Sequence, residues 1–107
     1  MRAPRLHITS PSGLAHTVKL TGITVIGRDN QNDIVLDEAM ISRCHAMLLA
    51  KRSGIVLIDL DSTNGTLVNG TFVLPDTPVP LADGDVIALG RVIARYHEGD
   101  TDGQLTN

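Results

Sequence analysis

The chain has 107 residues, a net charge of −3, and is 42% apolar but only 2% aromatic, Phe72 and Tyr96 being its two aromatic residues. That length fits one domain with its own core, which must be aliphatic; the charge and the lack of stacking platforms argue against a reader of nucleic acid or anionic lipid. The lone Cys44 excludes an internal disulfide and a multi-cysteine metal site and is compatible with a reducing compartment, so any anion site has to be local.

Met1-Arg2-Ala3-Pro4-Arg5 has two positive charges but no apolar run behind it, so no signal peptide is read. No stretch approaches ~18 consecutive apolar residues, and a cytoplasmic location is the expectation. Apolar residues come in short bursts separated by Gly, Asn, Asp and Pro, which predicts strands. The first two fall at 6–9 and 16–20, joined by the hairpin loop Ser10-Pro11-Ser12-Gly13. A third at 24–26 runs into Gly27-Arg28, so the Arg28 guanidinium should leave the sheet end and enter loop space. Alone, that pair reads equally well as a surface Arg facing Asp29 or Asp33.

A short strand at 34–36 is followed by 38–41, long enough for one helical turn. Ser42 and Arg43 then precede an alternating strand at 45–50. A hydroxyl beside a backbone N–H and an Arg is a small anion cradle, although Ser in a loop also bonds local backbone. His45, three residues after Ser42, offers a nucleophile–base pair on paper. No acid is placed to orient the imidazole and no nucleophile elbow is present, so a buried, hydrogen-bonded His that fixes the loop is expected instead. Cys44 is expected to point into or across the sheet.

Arg52-Ser53-Gly54 closes a hairpin into a strand at 55–60. The run from Asp59 to Gly65 has two readings. As a calcium loop it offers oxygens at Asp59, Asp61 and Thr63, but its Gly is displaced by one and the twelfth position is Gly70 rather than Glu. As a strand-end turn it places Thr63 and Asn64 where one side chain donates to an anion and the other holds a peptide main chain. Strands at 66–68 and 71–73 flank Asn69-Gly70, a type I′ signal. The Asn-Gly-Thr triplets beginning at Asn64 and Asn69 match the glycosylation acceptor by chance in a chain with no secretion signal. Three prolines make 75–80 a stiff edge or loop with at most a weak strand through Val79. Asp83-Gly84-Asp85 is a tight turn before strands at 86–89 and 92–96. Residues 98–107 read as a flexible acidic tail, whose Thr101 and Thr106 would be self-ligands if phosphorylated.

Short, closely spaced strands with hairpin loops favour an all-β, antiparallel sandwich. The loops bring two guanidiniums, two hydroxyls and an amide to strand ends, a set that suits a phosphate better than a bond to be broken. The clusters Gly27-Arg28, 33–36, Ser42-Arg43-Cys44-His45-Ala46, 59–66, Val68-Asn69-Gly70, 81–85 and Leu89-Gly90 together resemble the forkhead-associated (FHA) domains, over about two thirds of the chain and in order. The resemblance implies an FHA domain over 1–97 with its signature at 24–90. It implies a β-sandwich of eleven strands that binds a phosphothreonine peptide with loops at one end. Phosphate contacts would come from Arg28, Ser42, Arg43 and Thr63, and peptide-backbone contacts from Asn64. Gly27, His45, Gly65, Asn69 and Gly70 would support the loops, and Met40 would face the third residue after the phosphothreonine. The implied partners are a Thr-phosphorylated protein and an upstream Ser/Thr kinase, with no cofactor, no metal, no catalysis, no nucleic acid and no membrane segment. A scaffolding sandwich that binds partners without phosphate is the alternative.

Overall fold

The computed structural model describes residues 3–99. Eleven strands follow one another: β1 (Arg5–Thr9), β2 (Ala15–Lys19), β3 (Ile23–Gly27), β4 (Ile34–Val35), β5 (Ala46–Lys51), β6 (Gly54–Asp59), β7 (Thr66–Val68), β8 (Thr71–Phe72), β9 (Val79–Pro80), β10 (Val86–Leu89) and β11 (Val92–His97). They form a six-stranded sheet, ordered β2-β1-β11-β10-β7-β8, and a five-stranded sheet, ordered β4-β3-β5-β6-β9. This is the expected sandwich of short strands. One pairing departs from antiparallel: β4 runs parallel to β3, with Ile26 beside Ile34 and Gly27 beside Val35. The 38–41 segment is a single turn closed by the Ile41 N–H on the Glu38 carbonyl (3.1 Å), and no helix occurs among the described residues.

Period-two alternation aims one face of each sheet inward. Leu6 and Ile8 on β1 lie opposite Tyr96 and Ala94 on β11, and all four are buried. Ile26, Ala46, Leu48, Ile55 and Leu57 supply the facing layer, and Leu20, Leu36, Ile41 and Leu81 plug it from the connections. The core is aliphatic except for Tyr96, whose ring is fully buried. Its hydroxyl donates to the Glu98 carboxylate (2.8 Å). Burial first, and that acidic neighbour second, push the phenol well above its ordinary value.

The sandwich has two distinct ends. At one, β3 and β6 stop and β5 and β7 begin: the His45 N–H donates to the Ile26 carbonyl and the Leu60 N–H to the His45 carbonyl. Thr66 pairs with Leu89 there, and a Cβ on Gly90, in the turn after β10, would press on Met40. At the other end Arg5 pairs with His97, and the Arg5 guanidinium donates to the Gly99 carbonyl (2.8 Å). Residues 100–107, which contain Thr101, Thr106 and most of the expected tail, lie outside the described residues.

Candidate functional site

The loops at the first end are laced by main-chain bonds before any side chain is considered. The Arg28 N–H donates to the Ser42 carbonyl (3.0 Å), and the Asp29 N–H to the Arg43 carbonyl (3.2 Å). This close approach is possible because residue 27 has no side chain: a Cβ on Gly27 would run into the Arg43 carbonyl oxygen. Asn32 reinforces the seam by donating from Nδ2 to the Asp29 (2.9 Å) and Arg43 carbonyls.

His45 is the central brace. It has no solvent exposure. Its Nδ1 accepts the Ser42 N–H (3.1 Å), so its Nε2 must carry the proton that it donates to the Gly65 carbonyl (2.9 Å). Both nitrogens of the neutral ring are thereby engaged in tying the 42–45 loop to the 62–65 loop. Gly65 itself has φ +83°, and the Phe72 ring lies where its Cβ would be, so glycine is required twice over.

Asp59, fully buried, anchors the same loop. Its carboxylate accepts from the Ser62 N–H (3.1 Å) and from the hydroxyls of Ser62 and Thr66 (2.6 Å each). Burial works against its charge. The two hydroxyl bonds and the Ser62 N–H outweigh that and hold the carboxyl below its ordinary value. A carboxylate this occupied is a poor calcium ligand, and no cluster of metal-ligating side chains occurs among the described residues.

Between these braced loops opens a cleft of about 120 Å³, lined by Arg28, Ala39, Met40, Ile41, Ser42, Thr63 and Asn64. The Arg28 Nε donates to the Ile41 carbonyl (2.9 Å), which steers the guanidinium and leaves both Nη groups without a partner among the described residues. Neither Asp29 nor Asp33 pairs with it; those carboxylates accept the Gln31 and Val25 N–H groups instead. The Ser42 Oγ accepts the Thr63 N–H (2.9 Å), so its own proton is free to donate. The Thr63 hydroxyl has no partner among the described residues. The Asn64 Nδ2 donates to the Met40 carbonyl (2.8 Å), pinning the opposite wall.

The structure thus brings Arg28, Met40, Ser42, Thr63 and Asn64 together, with Gly27, His45 and Gly65 behind them. Arg43 is next in sequence, but its exposed side chain is not part of the cleft wall. Asn69 and Gly70 sit at the far end of the β7–β8 hairpin. There Asn69 (φ +51°) accepts the Val86 N–H and donates to the Asp85 carboxylate (both 2.9 Å), bracing that turn rather than the cleft. Cys44 is not buried in the sheet: it is exposed, with its Sγ 3.6 Å from the Asn32 Oδ1. Sequence reading missed Asn32 and the anchoring role of Asp59, whose residue types resemble those of any turn.

The family model described as FHA domain matches residues 24–90. An ABC transporter ATP-binding/permease protein of Mycobacterium tuberculosis is 42% identical over 78 residues, 73% of this chain and 9% of that protein. A chain solved in work on phosphothreonine-dependent FHA domain interactions superposes with a TM-score of 0.77 at 32% identity, covering 89% of this chain and 97% of that one. The FHA domain of FhaA, a protein of M. tuberculosis, solved in complex with the intracellular domain of Rv3910, gives 0.78 at 34% identity over 89% of this chain and 100% of that one. The chain spans between 9% and 49% of the length of the curated relatives it matches. With nearly two thirds of its length inside the family model and its strands superposing on solved members, the chain belongs to the FHA domain family.

Proposed function

We propose that this chain is a phosphothreonine-dependent interaction module, docking Thr-phosphorylated peptides or proteins in cytoplasmic Ser/Thr kinase signalling. One observation carries the reading: in the cleft, the Arg28 Nη groups and the Ser42 and Thr63 hydroxyls have donors left over after every structural bond is counted. Phosphothreonine brings a charge of about −1.5 to −2 and three strong acceptor oxygens to meet them. Arg28 supplies a charged, bidentate fork, Ser42 and Thr63 donate hydroxyl bonds to the same charged oxygens, and Asn64 contributes a contact to the peptide main chain. Arg43, exposed beside the cleft, would add a second guanidinium to the phosphate. Solved relatives engage phosphothreonine-dependent and protein partners, which supports the same use of this cleft.

The site binds rather than catalyses. A base would have to be His45, and both its nitrogens are held in structural bonds. Hydrogen bonds to charged groups contribute about 1.5–3 kcal/mol each, so these contacts, less the cost of association, are in the range of a micromolar affinity, about −8 kcal/mol. The test is to titrate a degenerate phosphothreonine peptide library, with unphosphorylated and phosphoserine counterparts, against wild type and Arg28→Ala. Phosphothreonine-selective binding that vanishes in the variant is expected. Equal binding of phosphorylated and unphosphorylated peptides by a folded wild type would leave a phosphate-independent scaffold.

A further inference from the structure

An open sandwich has sheet edges, and each edge is a row of unpaired main-chain groups that a further strand can join. Of the four edges formed by the described residues, three are blunted. β4 and β8 are two residues long, and β9 is as short and ends in Pro80, which has no N–H to offer. The fourth edge is β2. It has five residues, Ala15–Lys19, with no proline and no bulge in its pairing to β1.

The direction of each β2 main-chain group follows from its ladder with β1. The Leu20 N–H donates to the Pro4 carbonyl (2.8 Å), and the Ser10 N–H to the Leu14 carbonyl (2.9 Å). In an antiparallel pair bonded and non-bonded positions alternate, so His16 and Val18 also turn their N–H and C=O groups toward β1. Ala15, Thr17 and Lys19 turn theirs outward, where no strand stands among the described residues. Leu14, 75% exposed, continues this edge at the cleft pole.

We propose that β2 pairs with β2 of a second copy of this chain, antiparallel and about a two-fold axis through Thr17. That register sets Thr17 opposite Thr17, Ala15 opposite Lys19 and His16 opposite Val18. Every outward main-chain group of β2 then has a partner, and neither His16 nor Lys19 faces its own twin. An axis at Lys19 would set two ammonium groups side by side, and one at Ala15 would set Lys19 opposite Pro11, which has no N–H. In the Thr17 register the exposed Leu14 lies opposite Leu20 of the second copy and diagonal to its half-buried Val18, so bare apolar surface meets apolar surface. The strand complements itself in main-chain groups, charge and apolar side chains together, which favours a second copy over an unrelated strand. Antiparallel pairing turns one copy end over end. Ala15 lies at the cleft pole and Lys19 at the pole of Arg5 and His97, so the two clefts open in opposite directions. The pairing does not rest on what the cleft binds. On the phosphothreonine reading, the dimer connects two phosphorylated molecules rather than gripping two sites on one short peptide.

The test follows the full 107-residue chain by sedimentation across a concentration series. The edge is short, so the dimer is weak, with half-association expected on the order of 100 µM. Residue-resolved amide exchange over the same series gives the position. The Ala15, Thr17 and Lys19 amides are expected to slow about fivefold or more as the dimer fills, while those of Val18 and Leu20, already turned toward β1, keep their rates. Thr17→Pro removes an outward N–H and leaves the β1 ladder intact, and Thr17→Lys sets like charges across the axis. The Thr17 hydroxyl bonds His7 (3.0 Å) at the surface, so Thr17→Lys is expected to stay folded, and its thermal unfolding checks this. Each variant is expected to weaken association about tenfold or more. A chain that stays monomeric at millimolar concentration overturns the proposal. So does a dimer in which those three amides stay fast, or one that survives Thr17→Lys.

Discussion

At the level of single side chains, the cleft separates groups that fold the protein from groups that are free to bind. Thr63 has an unpartnered hydroxyl, while its main-chain N–H does the structural work on Ser42. Thr63→Val keeps the shape and the N–H, so it should lower phosphopeptide affinity about 10- to 100-fold, the worth of one hydrogen bond to a charged acceptor, and leave Tm unchanged. Parallel calorimetry and thermal unfolding check both halves. Arg28→Lys keeps the charge but loses both the fork and the Nε bond to Ile41. An affinity drop of about tenfold or more is expected there, and near wild-type binding would show that charge alone suffices. Residue identities told much of this in advance, because Arg, Ser, Thr and Asn at strand ends have few other uses together. Directions were not legible. Arg43 sits beside Ser42 in the chain yet outside the cleft wall, and nothing in its neighbours' names says so.

At the level of elements, short alternating strands were readable where both faces had distinct tasks, as in β1 and β11. The parallel β3–β4 pair was not, since two residues carry no register of their own. The Asn69-Gly70 turn was readable in type, and both residues take positive φ. Its place was not: its short hairpin carries it away from the cleft. Asn69→Gly removes two side-chain bonds and should cost about 1–2 kcal/mol. Asn69→Ala should cost about 1 kcal/mol more, because alanine resists the left-handed conformation. Neither should change phosphopeptide affinity, and urea unfolding beside peptide titration tests the separation. Gly27→Ala is the contrasting case. The added methyl meets the Arg43 carbonyl, so it should cost about 2–3 kcal/mol and weaken binding together, because fold and cleft share that seam.

At the level of the whole molecule, acid should act on folding and on binding at different pH. Asp59 has a folded value below its unfolded one, so its contribution is complete above the unfolded carboxylate value of about 3.9 and is lost as pH falls through the folded value. Asp59→Asn should therefore be about 1.5–3 kcal/mol less stable than wild type near neutrality, with the gap closing below about pH 4 in urea titrations. Phosphopeptide binding should weaken earlier, through about pH 6, as the ligand phosphate takes up a proton. A groove of about 250 Å³ between the β1–β2 loop and residues 35–38 was invisible in sequence for a reason of scale: its banks come from residues near 14 and near 37, and only the folded sandwich sets them side by side. The pairing of Arg5 with His97 has a consequence of the same scale. Chain entry and exit lie on neighbouring strands, about 5 Å apart, at the pole away from the cleft. The first and last strands are thus hinged like the two sides of one seam, with the cleft-bearing loops at the opposite pole, so changes made near Arg5 or His97 are felt least where the cleft opens.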